Sequence, residues 1–405
     1  MNPGQHREDF SLLMNERTAY LDNAATSHKP DCVIKAERDF YLKYNANPLR
    51  GFYPLSIKAT EEYEKARERV KDFIGASSKE EIVFSRNTTE SINLVAYSYG
   101  LDRIGKGDEI VVSITEHHSN MLPWRMVADK TGATLKYLRC GPDGSITDEQ
   151  IDDVIGKNTK LAAIGHVSNV FGRVNPVEKI AQKVHAAGGV VVVDAAQSIP
   201  HMRIDVKALD ADFLAFSGHK LFGPMGIGVL YAKKKILEEM PPFLRGGEMI
   251  QSVHEDSVAY ADLPHRFEAG TVNAAGAVGL KAAIDYIESI GYENMIDMEN
   301  ELIFRVLEGL KDLRHVHILG SENANDHHGI ISFVVDDVHP HDVAAILEAD
   351  GIDVRAGHHC AQPLFEYLGI GSATRASFMF YNTYKEADML VNSIATIRKR
   401  MGYGE

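Results

Sequence analysis

The sequence predicts an α/β fold: a seven-stranded, mostly parallel sheet covered by helices on both faces, followed by a smaller α+β portion. Two observations point to the sheet. Short runs rich in Val, Ile and Leu recur through the first two-thirds of the chain, and helix-like stretches separate them. A third marks the second portion, because from about Asn273 long helical patterns take over.

The runs are, in order, Glu81–Ser85, Glu109–Ile114, Thr134–Leu138, Leu161–His166, Val190–Asp194, Phe213–Phe216 and Gly228–Tyr231. Their near-continuous apolar character suits strands buried on both faces. Thr89–Gly100, Asn120–Thr131 and Val177–Ala187 read as intervening helices. Beyond them, Ala274–Ser289 and a stretch reaching Leu313 read as helices, Gly329–Val335 as a strand pair, His341–Asp350 as a helix, and the chain from Lys385 as a last helix. The expected division is a large domain over 15–275 and a small one formed by 1–14 with 276–405.

A chain of 405 residues, 44% hydrophobic and 25% charged, has the make-up of an ordinary globular protein with a large core. Lys and Arg total 43 against 57 Asp and Glu, and the resulting charge of −14 repels phosphate backbones, which argues against a nucleic-acid partner. Cys32, Cys140 and Cys360 are too few and too scattered for a disulfide framework or a Cys-x-x-Cys metal site. No metal is therefore expected, and a free thiol suits a reducing, cytoplasmic setting. The first residues lack the apolar core of a signal peptide, and no apolar run approaches the roughly 20 residues that span a bilayer, so no membrane association is expected.

In sheets of this kind active sites gather at the carboxyl ends of the strands. Val190–Asp194 ends in a carboxylate and leads into Ala195-Ala196-Gln197-Ser198, while Phe213–Phe216 leads into Ser217-Gly218-His219-Lys220. A lone Lys or Asp at a strand end is usually a solvated residue or a helix cap. Together they form the set that pyridoxal 5′-phosphate requires. An amine must bond to its aldehyde, a carboxylate must keep the pyridine nitrogen protonated, and donors must meet the phosphate and the ring oxygen.

Asp194-Ala195-Ala196-Gln197 and Ser217-Gly218-His219-Lys220 resemble the two signature segments of class V aminotransferase-fold enzymes. The resemblance implies a PLP-dependent transferase fold of type I, aspartate aminotransferase-like, in which Lys220 carries the cofactor. It further implies that Asp194 pairs with the ring nitrogen, Gln197 donates to the phenolic oxygen, and Ser217 and His219 bind phosphate. Thr88 and Thr89, in Arg86-Asn87-Thr88-Thr89-Glu90, can offer amides and hydroxyls to that phosphate at a helix start, although Thr-Thr-Glu also suits a plain cap. His117, in Thr115-Glu116-His117-His118-Ser119-Asn120, matches the family histidine that stacks on the pyridine ring and moves protons. A loop histidine with a satisfied hydrogen bond is the plainer alternative. Asn169 matches an asparagine near the substrate. Thr271, in Phe267-Glu268-Ala269-Gly270-Thr271, matches a residue that reaches the neighbouring subunit's phosphate, which implies a homodimer.

Among the many enzymes sharing that lysine scaffold, the discriminating stretch is Val354-Arg355-Ala356-Gly357-His358-His359-Cys360-Ala361-Gln362-Pro363. It resembles the cysteine-bearing segment of SUF-type (group II) cysteine desulfurases. The likeness extends from Tyr20-Leu21-Asp22-Asn23-Ala24-Ala25-Thr26, whose Ala25 is implied at the substrate, to Arg375-Ala376-Ser377. It implies that L-cysteine is converted to L-alanine while sulfur is held as a persulfide on Cys360. Sulfur would then pass to an acceptor protein of SufE or SufU type, for iron–sulfur cluster assembly. Arg375 matches the residue binding the substrate carboxylate, Arg355 assists near the thiol, and Arg50 lies near the substrate entrance. Arg355, His358 and His359 can make a thiolate at Cys360 more available. His339, His341, His358, His359 and Cys360 match no familiar zinc spacing, whereas His341 resembles the position that meets a zinc-bearing partner. Tyr53 stands where many relatives have His, and Val272 where Pro is usual.

Other readings stay open at this point. L-selenocysteine lyase uses the same machinery, a class V transaminase or decarboxylase would leave Cys360 incidental, and a non-catalytic scaffold would need neither Lys220 nor Cys360.

Overall fold

The computed structural model describes residues 2–15 and 18–404. Its centre is a seven-stranded sheet in the order Ile82–Ser85, Gly228–Ala232, Phe213–Ser217, Val190–Asp194, Thr159–Gly165, Glu109–Ser113, Thr134–Leu138. The five strands from Phe213–Ser217 to Thr134–Leu138 are parallel, and Gly228–Ala232 runs against both of its neighbours. Each matches a predicted run: Thr134–Leu138 and Val190–Asp194 coincide at both ends, and no end of the others differs by more than two residues.

The double apolar coverage has a direct cause in the strand pattern. Successive side chains point to opposite faces. Val191, Val193, Leu214 and Phe216 therefore join one cluster with Val177–Ala186 and Ala274–Ile290. Val192, Phe213 and Ala215 join another with Thr88–Val95 and Leu122–Thr131. Thr88–Val95 is shorter than the predicted Thr89–Gly100, whose last turn widens into a π-type turn over Ala96–Gly100.

After Ala274–Ile290 and Tyr292–Leu310 comes a second, antiparallel sheet ordered Val316–Leu319, Ile330–Val335, Ala373–Ser377, Arg355–Gly357. The strand pair expected within Gly329–Val335 is instead one strand, Ile330–Val335. Its apolar run contains no Gly, Pro, Asn or Asp, and both partners are supplied by distant segments. Pro340–Ala349 and Tyr384–Ile394 cover this sheet. Near the amino terminus, Ala19–Tyr20 pairs with Ile352–Asp353, and Asp22 bridges to Ser377. The segment after Asp22 thus runs from the antiparallel sheet to the ends of the parallel strands. Among the described residues no helix is long and apolar enough to cross a membrane.

Candidate active site at the strand ends

A cavity of about 290 Å³ opens where the parallel strands end, lined on its far side by the antiparallel sheet. Its lining includes Ala25, Thr88, Thr89, His117, Asn169, Asp194, Gln197, Ser217, His219, Lys220, Arg355, Cys360 and Arg375. Arg50 and Thr271 lie elsewhere. Arg50 is bound to Glu248 at 2.8 Å and to the Ile250 carbonyl at 3.3 Å. Thr271 lines a separate groove of about 410 Å³ with Phe84, Leu244 and Phe267.

The floor is made by strand ends. Asp194 closes Val190–Asp194, is buried, and accepts one hydrogen bond, from the Ala196 amide at 2.9 Å. Burial raises its carboxyl above the usual range, while that amide and Lys220 oppose the shift. Lys220 ends the short turn after Phe213–Ser217, and burial brings its amine down to about 8. Asp194 opposes that change, whereas Arg375 and Arg355 reinforce it. Gln197 is fixed by donating to the Ala24 carbonyl at 2.9 Å.

The amino end of Thr88–Val95 closes one side. Asn87 caps the helix by accepting from the Glu90 amide at 2.9 Å. The Thr88 amide donates to Ser217 Oγ at 2.8 Å, the two hydroxyls are 2.7 Å apart, and Thr89 Oγ1 lies 2.8 Å from Ser119 Oγ. Gly228 makes this approach possible, since a Cβ there would lie 2.5 Å from the Asn87 Cα. Hydroxyls beside a helix amino terminus favour an anion.

His117 follows Glu109–Ser113, and its Nδ1 accepts from the Ser119 amide at 3.1 Å, which leaves the ring proton on Nε2. Burial, then Lys220 and other cations, lower it to about 3, so the ring is neutral.

The rim belongs to the antiparallel sheet. Arg355 and Arg375 are cross-strand partners, a like-charge pairing that Asp22 relieves. Asp22 accepts from Arg355 Nη2 at 3.0 Å and from Arg375 Nη2 at 3.4 Å. Arg375 is buried, donates from Nη1 to the Asn169 carbonyl at 2.8 Å, and has no partner for Nε among the described residues. Cys360 is exposed, and both His359 and Cys360 have left-handed backbones, with φ of 50° and 57°. Asn169 Nδ2 and the His118 amide each donate, at 2.7 Å, to the carbonyls of His359 and Cys360 respectively.

Sequence reasoning passed over Glu116, Asn175 and Asp22. Glu116 is buried against the Gly165 amide (2.8 Å) and Asn120 Nδ2 (2.7 Å), and burial pushes its carboxyl up to about 8. Asn175 holds the Gly165 carbonyl at 2.7 Å. Both meet the backbone of Gly165, at the end of a strand distant from them in sequence, so no local signal marks them. Asp22 lay within a quoted motif, and the arginine pairing across two strands gives it meaning. Cys32 is exposed and Cys140 is buried in a minor core cluster, both away from the cavity. His339 and His341 meet edge to face at the start of Pro340–Ala349 with ring centres 5.1 Å apart, outside the cavity. Among the described residues no cluster of three or more His, Cys, Asp or Glu is arranged to hold a metal ion.

The donor set fits pyridoxal 5′-phosphate. A buried carboxylate with one oxygen lacking a partner among the described residues faces the cavity, an amine of lowered pKa stands near it, and hydroxyls with helix amides gather at one end. The class V aminotransferase family model matches residues 19–390. A probable cysteine desulfurase of Halalkalibacterium halodurans is 50% identical over 407 aligned positions, covering 100% of both chains. A cysteine desulfurase of Haloferax volcanii is 46% identical, covering 98% of this chain and 92% of its own. The apo structure of a cysteine desulfurase from Thermococcus onnurineus superposes with a TM-score of 0.94 at 44% identity, covering 99% of each chain.

Proposed function

The chain belongs to the class V aminotransferase family and is a pyridoxal 5′-phosphate-dependent cysteine desulfurase, and we propose that it is of SUF type, holding sulfur as a persulfide on Cys360. The observation that carries this reading is one cavity with a partly buried amine at Lys220 on its floor and an exposed thiol at Cys360 on its rim.

In this reading Lys220 bonds to the cofactor, Asp194 meets its ring nitrogen, and Gln197 its phenolic oxygen. His117 covers the ring, while Ser217, His219, Thr88 and Thr89 hold its phosphate. When bound, the cofactor supplies a sink for the electron pair released at the substrate Cα. Arg375 takes the α-carboxylate of L-cysteine in the fork geometry its guanidinium offers. Asn169 and Ala25 shape the space beside it, and Arg355 draws the thiolate and substrate together. Lys220 Nζ, with an amine near 8, removes the Cα proton and returns it later in the cycle.

The Cys360 thiolate then forms a sulfur–sulfur bond with the substrate Sγ as the carbon–sulfur bond breaks. The electron pair stays on carbon and is taken up by a proton. Cysteine and the Cys360 thiol thereby give alanine and a Cys360 persulfide, with no external oxidant. Neutral His117, with its proton on Nε2, is placed to pass protons at the cavity.

The exposure of Cys360 supports transfer of the sulfur to an acceptor protein of SufE or SufU type in the cytoplasm, feeding iron–sulfur cluster assembly. Thr271 and Arg50, both outside this chain's cavity, fit a homodimer in which each subunit completes its neighbour's site. The test is alanine and persulfide formation from L-cysteine with a reductant, for wild type and Cys360→Ala. The variant is expected to lose about 10²-fold or more of the activity while retaining cofactor. Unchanged activity would remove Cys360 as the sulfur carrier and bring L-selenocysteine forward as substrate.

A further inference from the structure

Lys29 makes no contact with the cavity, yet its surroundings are unusual for a lysine. Its Nζ donates to the His219 carbonyl at 2.8 Å, to the Ser27 carbonyl, and to Thr26 Oγ1 at 3.3 Å. All three acceptors are neutral, and among the described residues it forms no ion pair with a carboxylate. Burial brings its amine down to about 8. A partly buried amine without a counter-ion costs stability, so its retention calls for a purpose.

The place it occupies suggests one. The His219 carbonyl, immediately before Lys220, also receives the Ser27 amide at 3.2 Å, Ser27 Oγ at 3.2 Å and Thr26 Oγ1 at 3.1 Å. Ser27 Oγ reaches the Lys220 carbonyl at 3.0 Å and accepts from the Phe222 amide at 2.9 Å. The segment Thr26–Lys29 is thus stitched along the turn that carries Lys220. A carbonyl has two lone pairs, so four donors compete for it. The ammonium is the strongest of them.

That competition reaches the His219 ring. Thr26 Oγ1 lies 3.2 Å from His219 Nδ1, and its single proton can go to the carbonyl or to that nitrogen. With Lys29 on the carbonyl, the hydroxyl proton is released to Nδ1. The ring proton then sits on Nε2, which makes no hydrogen bond to protein among the described residues while the ring lines the cavity.

We propose that Lys29 is a positioning residue for the cofactor phosphate: it seats the Lys220 turn and fixes the His219 tautomer so that Nε2 presents an N–H to the phosphate. The proposal rests on the reading that His219 binds that group. Removing Lys29 returns the Thr26 proton to the carbonyl, frees the ring to present a lone pair to an anion, and loosens the phosphate end of the site.

The test compares holoenzyme of wild type, Lys29→Met, Lys29→Arg and His219→Ala. Cofactor release into a trap is followed by absorbance, and the stripped proteins are titrated with pyridoxal 5′-phosphate and with pyridoxal. Lys29→Met is expected to release cofactor about tenfold faster and to lose about tenfold of its preference for the phosphorylated form, the size of one charged hydrogen bond. Lys29→Arg should restore both. Release at the wild-type rate, or equal weakening toward both compounds, would overturn the proposal by leaving Lys29 a structural role alone. A His219→Ala protein with undiminished phosphate preference would instead sink the reading beneath it.

Discussion

Lys220 and Cys360 face the same cavity, but the backbones beneath them are held by different means. The Lys220 turn continues a strand whose five residues are all buried, and it is stitched to the Thr26–Lys29 segment. Cys360 stands exposed in a short loop where it and the buried His359 both adopt left-handed backbones, a cost of about 1–2 kcal/mol each. Hydrogen bonds from Asn169 and the His118 amide, both on loops of the parallel sheet, offset it by gripping the carbonyls on either side. The floor is therefore set by the packed sheet, and the rim by a few polar contacts across the cleft. This division suits the two tasks: the floor must hold one group permanently, while the rim must meet a small substrate and then a partner protein.

The largest effect that sharpens this contrast is expected from Lys220→Ala. Loss of the amine should reduce desulfuration by about 10³-fold or more, and it should also abolish the visible band of the bound cofactor. Cys360→Ala should leave that band in place. A Lys220→Ala protein that kept the absorbance of wild type would break the division of labour between floor and rim.

Arg375→Lys comes next. The buried guanidinium already spends Nη1 on the Asn169 carbonyl and shares Nη2 with Asp22, and Nε has no partner among the described residues. A lysine cannot reproduce that fork, so KM for L-cysteine should rise about tenfold to a hundredfold, with cofactor absorbance unchanged. A fall in kcat at constant KM would show that Arg375 serves the rim architecture rather than the substrate.

The same contrast explains what could be read from the sequence. Val190–Asp194 and Phe213–Ser217 announce themselves, because buried parallel strands are unbroken apolar runs and the residues after them are the site. The strands Arg355–Gly357 and Ala373–Ser377 do not. The first is only three residues long, each carries an arginine, and the second also carries Thr and Ser, so periodicity offers little. Their residues were found through motif resemblance. The roles of Asp22 and Lys29 escaped notice because they depend on what lies across a cleft, at Arg355 and at the His219 carbonyl. Glu116 escaped for a similar reason, its burial being set by Gly165 of another strand.

Acid provides the smallest but most discriminating comparison, because floor and rim carry groups with opposite shifts. His359 is buried, donates from Nε2 to the Ala373 carbonyl at 3.1 Å, and is lowered to about 3, chiefly by burial and then by Arg375. Held neutral in the closed loop, it takes up a proton near its ordinary value of 6.5 once the loop opens. The stability it lends is therefore complete above pH 6.5 and is lost as pH falls from there toward 3. At pH 5.5 the open loop should gain about tenfold, or about 1.4 kcal/mol, from this ring alone. Glu116 on the floor runs the other way. Its carboxyl is pushed up to about 8, so it is protonated when buried, and unfolding releases that proton at any pH between its ordinary 4.5 and 8. Its cost is therefore largest near pH 8 and is relieved as pH falls toward 4.5. Hydrogen exchange at pH 7.5 and 5.5, corrected for intrinsic rates, should show faster opening of residues 357–361 and no loss of protection around Glu116 and Gly165. Parallel changes in both regions would mean that floor and rim open as one unit, and that the separation argued from their backbones is false.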